Sequence, residues 1–394
     1  MDTTNLRLAA AALLFVVGTA LPGGANAQTW STPQVAAEGV IEGFAANGTG
    51  TAALIFAQTA AGLFATVRTG GVWGPPVTLT TQGTRGNIAV APNGDVLAIW
   101  DFHLTNSTAP AELQASFYHA GHWGSPITLS TSGASVNSYQ LAVLGFDGQS
   151  RGTVIWEQIT SSNPYACSLV AATGSAAGGF APAQAIAGSC LGWVELAVNS
   201  AGEAIAIQGA PTLEVAPVIA TSRDSNGTWG APVTVAPGGY GNESPNVALG
   251  NNGTAVIIWR TRAHTAVAVR ENDVWTAPIV PPAVVGGGGT AAVDGSGNVV
   301  IAYGGKLSYR PAGGSFQTPV LLNGSVSGVV ADDAGTFAVG GSGIAVRLAG
   351  SSAWNQNGPD GSVVIAPGRA AAVLYGPQNP SGLYQIESSE AVVP

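Results

Sequence analysis

Aromatic residues followed closely by proline recur along almost the whole chain: Trp30 with Pro33, Trp73 with Pro76, Trp123 with Pro126, Phe180 with Pro182, Trp229 with Pro232, Trp275 with Pro278 and Phe316 with Pro319. Trp354 is a degraded eighth copy, and successive aromatics lie 43, 50, 57, 49, 46, 41 and 38 residues apart. A self-similar period of 40 to 50 residues is the mark of a propeller or a solenoid. A second signature alternates with the first. A short apolar strand, a Gly/Asn/Asp turn and another apolar strand ending in an aromatic appear at Ile88 to Trp100, Val247 to Trp259 and Ala291 to Tyr303, turning at Gly94, Gly253 and Gly297. Further copies turn at Gly48, Gly148, Gly202, Gly335 and Gly368. Such turns between β-rich runs signal hairpins.

A third strand lies between the two signatures, at Leu63 to Arg68, Pro217 to Arg223, Ala266 to Arg270, Lys306 to Arg310 and Ile344 to Arg347, and the aromatic-proline stretch opens a fourth. Four short antiparallel strands per period form the unit of a β-propeller blade. The chain therefore reads as all-β, a propeller of eight four-stranded blades, with seven as the alternative because the unit around Trp354 is eroded. A lone fourth strand from Trp30 to Ala36 precedes the first full unit, and only three strands, near Val363 to Ala366, Ala370 to Tyr375 and Leu383 to Glu387, follow Trp354. The N-terminal strand is thus expected to complete the last blade and close the ring, leaving no open sheet edge.

Residues 1–27 read as a cleaved leader: Arg7, a 14-residue apolar run from Leu8 to Leu21, a Pro22-Gly23-Gly24 break, and Ala25-Asn26-Ala27 before Gln28. The run is shorter than the roughly 18 residues a spanning helix needs. Residues 28–394 form one domain, placed in the periplasm or outside the cell. Cys167 and Cys190 flank one predicted hairpin symmetrically and are expected to form a disulfide, which oxidation outside the cytoplasm permits. Lys and Arg number 12 against 21 Asp and Glu, a net charge of −9, with Lys306 the single lysine. That balance argues against nucleic acid and anionic membrane as partners. No metal-ligand spacing, phosphate loop or Ser/His/Asp motif is present, so no cofactor or metal is expected.

Residues in one phase of a repeat are first of all packing residues. Phe56, Trp100, Trp156, Trp259, Tyr303 and Tyr375 share the end of the second strand and are expected to fill space between blades. Arg68, Arg223, Arg270, Arg310 and Arg347 each stand five to seven residues before the next aromatic and are expected to fold over it. Sequons at Asn47, Asn106, Asn226, Asn242, Asn252 and Asn323 read as turn residues.

The segment Ser222-Arg223-Asp224-Ser225-Asn226-Gly227-Thr228-Trp229 resembles the Asp-box of sialidase-type propellers, with glycine one residue late. More broadly the mature chain is similar to exported bacterial propeller-repeat proteins often labelled sialidase-like. The resemblance implies a fold, not a chemistry.

Function is expected on the face that carries the long, unrepeated loops. Its candidate ligand-binding residues are Asp101, His103, Trp193, Tyr240, Arg260, Arg262 and His264, and its candidate catalytic carboxylates are Glu157, Glu195 and Glu243. Aromatics there suit stacking on a sugar, and charged groups suit its hydroxyls. The reading is a monomeric, lectin-like binding module for a glycan or an extracellular protein surface. A polysaccharide lyase or glycoside hydrolase using paired carboxylates on the same face is the alternative, and a structural envelope protein a second. Protein recovered from an exporting host is expected to begin at Gln28 by N-terminal sequencing; an intact Met1 would overturn the leader.

Overall fold

The computed structural model describes residues 31–392 except 59–61, 84, 103–111, 131–134, 137–141, 163–164, 211–215, 239–242, 283–287, 323–325, 342–343, 352, 356–361, 367–368 and 379–383. The described residues contain strands and turns and no helix. Every strand pairing between named strands is antiparallel.

Hydrogen bonding groups the strands into seven sheets in chain order. The first sheet is double. Strand Gln34–Ala46 pairs through Val40 to Ala46 with Ala52–Gln58, which continues to Gly62–Thr69 and Val77–Thr80. Through Gln34 to Gly39 the same strand pairs with Tyr384–Val392, the end of a meander with Arg369–Gln378 and Ser362–Ala366. Both ends of the chain therefore share one sheet. The second to seventh sheets have first strands Gly86–Val90, Val143–Phe146, Trp193–Val198, Glu243–Leu249, Gly289–Val293 and Val326–Ala331. Each first strand lies beside the first strand of the next sheet, and Ser362–Ala366 lies beside both Val326–Ala331 and Gln34–Ala46.

The second strands explain this stacking. Leu54, Ile55 and Phe56, Val96 to Trp100, and Ala255 to Trp259 are at most 1% exposed along their whole runs, so both faces of each sheet are covered. A strand polar on one side would alternate; one buried on both sides is continuously apolar. Phe56, Trp100, Trp156, Trp259 and Tyr303 are all fully buried at the ends of these strands, as their shared phase requires. The side chain of Tyr375 lies outside the described residues. The aromatic-proline residues pack between sheets: Phe180 of the third sheet stacks on Phe117 of the second at 5.3 Å, and Trp73 Nε1 donates to Ser388 Oγ at 2.8 Å within the double sheet. After the aromatic, one more residue bonds back to the third strand, as in Gly74 N to Val67 O and Gly124 N to Phe117 O. Proline, lacking an N–H, then interrupts the ladder, which resumes at Val77 and Ile127. Buried hydroxyls brace this break: Thr66, Ser116 and Ser308 donate to the carbonyls of Gly74, Gly124 and Gln317. Among the described residues of the seventh sheet the fourth strand is one bridge, Val346 with Asn355, next to the eroded repeat at Trp354.

The arginines depart from expectation. Arg223 does lie over Trp229, 5.6 Å from the ring centre, but Arg347 lies over Tyr309 of the preceding sheet at 4.0 Å, and Arg310 pairs with Glu271 of the preceding sheet at 2.9 Å. Arg270 turns to Asp273 and the Gly253 carbonyl. A guanidinium on a sheet edge reaches the neighbouring sheet as easily as its own hairpin, and several of these arginines tie sheet to sheet.

The hairpin turns also differ in detail. Among the described residues each has a residue with positive φ at its fourth position, Gly94, Gly202, Gly253, Gly297 and Gly335, but in two turns that place falls on Gly50 and Ser150 rather than on Gly48 and Gly148; the turn at Gly368 lies outside the described residues. The buried first residues Asn47, Asp147, Asn199, Asp294 and Asp332 organise these turns by accepting backbone N–H groups through Oδ1. Neighbouring turns are linked as well, by Asn47 Nδ2 to Ala91 O, Gly148 N to Ser200 O and Asn199 Nδ2 to Gly250 O. Replacing Asp294 with Ala orphans the Ser296 and Asn298 amides, so the variant is expected to lose roughly 1–3 kcal/mol in denaturant unfolding. An unchanged midpoint would show that these turns do not support the fold.

Candidate functional site

The disulfide Cys167–Cys190 is formed, with Cα atoms 5.7 Å apart. It joins the third strand of the third sheet to the connection leading into the fourth. That connection is gripped a second time by Glu157, which follows Trp156 at the end of a fully buried strand and is itself 4% exposed. The Glu157 carboxylate accepts the backbone N–H of Leu191 at 2.7 Å, that of Gly192 at 3.1 Å and Gln208 Nε2 at 3.3 Å. Gln208 Nε2 also donates to Ser189 O at 2.7 Å. Gly192 has φ +88, which lets successive amides converge on one anion. The residue held in place by this clamp is Trp193, the next in the chain.

Trp193 opens the first strand of the fourth sheet and is half-buried. Its Nε1 donates to Pro245 O of the fifth sheet at 3.0 Å. Two residues before Pro245, Glu243 pairs in register with Arg260, and Glu243 Oε2 lies 3.2 Å from Arg260 Nη1 as an ion pair without a hydrogen-bonding angle. Ser244 between them has φ +42 and donates its N–H to Ala210 O, where Ala210 forms a parallel bridge with Glu243. A serine held at positive φ costs about 1–3 kcal/mol, and such strain concentrates where a site needs it. The next loop is a tight turn on Thr261, whose Oγ1 accepts the amides of Ala263 and His264 and donates to His264 O. This turn presents Arg262 to solvent and leaves His264 half-buried.

Thus Trp193, Glu243, Arg260, Arg262 and His264 come from one end of the fourth and fifth sheets. Asp101 lies at the corresponding strand end of the second sheet, 1% exposed, accepting Arg85 N at 3.0 Å and Arg85 Nε at 3.1 Å. His103 and Tyr240 lie outside the described residues.

Glu195 stands apart. It pairs with Ile207, as Asn246 pairs with Ile258 and Thr290 with Ala302 in the next two sheets. At those two positions the side chain accepts an amide of the next first strand, Ala291 N to Asn246 Oδ1 and Val329 N to Thr290 Oγ1, each at 3.1 Å. At Glu195 a carboxyl takes that place, and burial pushes its pKa up to about 7. Glu42, in the bulge of the strand Gln34–Ala46, is also raised to about 7, chiefly by burial and against the lowering effect of the Gly86 amide. Sequence reasoning passed over Glu42, Asn246 and Thr290. The only available signal was a polar residue inside an apolar first strand.

Among the described residues no group of three His, Cys, Asp or Glu side chains could hold a metal, and no helix is long and apolar enough to cross a membrane. A carboxyl with a folded pKa above its unfolded value stabilises most below the unfolded pKa, and this contribution fades as pH rises through about 7. Stability is therefore expected to fall between pH 5 and 8, and Glu195→Gln to flatten part of that fall, Glu42 and Asp333, also raised by burial, carrying the rest. Equal slopes in urea titrations of the two proteins would refute the placement of Glu195.

No family profile matches the chain, and no curated protein does. Solved structures do. A puromycin hydrolase is similar at a TM-score of 0.51 and 12% identity over 88% of this chain, which spans 58% of that protein. An α-L-arabinofuranosidase, Arb93A of Fusarium graminearum, aligns over 92% of this chain and 98% of its own at 10% identity and a TM-score of 0.43. A polysaccharide lyase of the ulvan lyase family PL25 aligns over 78% and 93% at 10% identity and 0.46. At such identities a likeness concerns fold alone and carries no activity across.

Proposed function

We propose that this chain is an exported, eight-bladed β-propeller that binds a glycan at the mouth between its fourth and fifth sheets. Ring closure is supported by the strand Gln34–Ala46, which serves the first and last meanders alike, and by the first strand of the last meander lying against those of the seventh and first sheets. The disulfide is compatible with export.

One observation carries the binding reading: the Glu157 clamp and the Trp193 to Pro245 bond fix an indole to the strand that carries Glu243 of the Glu243–Arg260 pair, two residues along from Glu243. An immobilised aromatic surface next to charged hydrogen-bonding groups is what a sugar ring needs, an apolar wall for its C–H face and polar partners for its hydroxyls. Glu157 is engaged in holding a loop, which leaves it poorly placed to act with Glu195 as paired acid and base, and Asp101 is engaged likewise by Arg85. Arg262, exposed on the adjoining turn, extends the polar edge.

The second reading is a lyase or glycoside hydrolase, and it rests on Glu195, a carboxyl that keeps its proton near neutral pH as a general acid must. A glycan array probed with protein beginning at Gln28 separates the two. Binding without reducing-end release is expected, with Trp193→Ala weakening it by roughly tenfold, the worth of one aromatic stack. Release of reducing ends that disappears in Glu195→Gln would replace binding with catalysis. No bound glycan at all would overturn both.

A further inference from the structure

The aromatic-proline repeat builds a second feature, remote from the mouth. Four residues after the aromatic stands an aliphatic side chain that the protein leaves in water: Val77 is 42% exposed, Val233 50% and Ile279 43%. Isolated exposed aliphatics are ordinary, but these share one repeat phase and each borders a groove. The groove wall opposite is the half-buried aromatic of the following sheet: Trp123 faces Val77, Trp275 faces Val233, and Phe316 faces Ile279. The three grooves have volumes of about 350, 550 and 330 Å³, within the range of small-ligand sites.

Each groove also has polar side chains in its lining. Arg270 and Asp273 form an ion pair lining the Val233 groove, and Tyr118 and His122 line the Val77 groove. The Ile279 groove has Arg310, whose side chain is 8% exposed and whose Nη2 pairs with Glu271 while its buried Nη1 has no partner. A buried guanidinium donor without an acceptor is costly unless something supplies one.

We infer that these grooves are repeated saccharide subsites, each taking one sugar ring edgewise between the aliphatic residue of one sheet and the aromatic of the next. A slot with apolar walls on both sides favours a ring with C–H groups on both faces and hydroxyls around its rim, which is the all-equatorial arrangement of a β-linked glucose unit. The rim hydroxyls then meet the charged and polar groups at the groove edge. This inference does not rest on the mouth site, and the two fail separately.

Cellotetraose is the probe, titrated into the intact mature protein with tryptophan fluorescence and calorimetry as readouts. More than one molecule is expected to bind per chain. The triple variant Val77→Asn, Val233→Asn and Ile279→Asn, made only at exposed positions, is expected to lose this binding at an unchanged melting temperature, while Trp193→Ala retains it. Val233→Asn alone is expected to lower the number of bound molecules by one. Absence of binding at millimolar cellotetraose overturns the inference. So does binding that survives in the folded triple variant, or binding that Trp193→Ala alone abolishes.

Discussion

A four-stranded sheet whose central strands are apolar on both sides cannot stand in water, and this requirement governs the whole molecule. The runs Leu54 to Phe56, Val96 to Trp100 and Ala255 to Trp259 are buried on both faces, so every sheet needs a neighbour before it and another behind it. Hydrophobic burial is non-directional and sets only that surfaces be covered. The buried aromatics closing the second strands and the aromatics before each proline fill the space that stacking twisted sheets leaves between them. The arginines at the third-strand ends add ties across the same interfaces, Arg310 to Glu271 and Arg347 to Tyr309.

Departures from the repeat are where polar side chains take new roles. Where neighbouring sheets place Asn246 or Thr290, neutral groups that cap the next first strand, the fourth sheet places Glu195. The third and fourth sheets are joined by a short segment fixed by both a disulfide and a carboxylate in a backbone nest. These two anchors fix the backbone directly before Trp193. Rigid first contacts lower the entropy lost on binding.

The repeat itself made much of the architecture legible. Third strands predicted from Leu63, Ala266 and Lys306 are observed as Gly62–Thr69, Thr265–Glu271 and Lys306–Arg310, because a continuous apolar run bounded by a turn and a proline is a local signal. The shared burial of Trp100, Trp156 and Trp259 was equally legible, since equal phase in a repeat means equal environment. The glycines mark the turns in the sequence, but the organising residues are the buried Asn47, Asp147, Asn199, Asp294 and Asp332, one position before Gly48 and Gly148 and three before Gly202, Gly297 and Gly335. Asx side chains do this often enough that the pattern was available.

Partners chosen across sheets were not available. Glu157 reads from sequence as a loop carboxylate open to substrate; its donors Leu191, Gly192 and Gln208 lie 34, 35 and 51 residues away and converge only when two sheets stack. Arg347 has Tyr309 as its ring for the same reason. Local alternation and spacing encode which strands form and which faces must be hidden, because those depend on neighbours in the chain. Which donor meets which acceptor depends on the twist and offset between separate sheets, and that geometry exists only once they have packed.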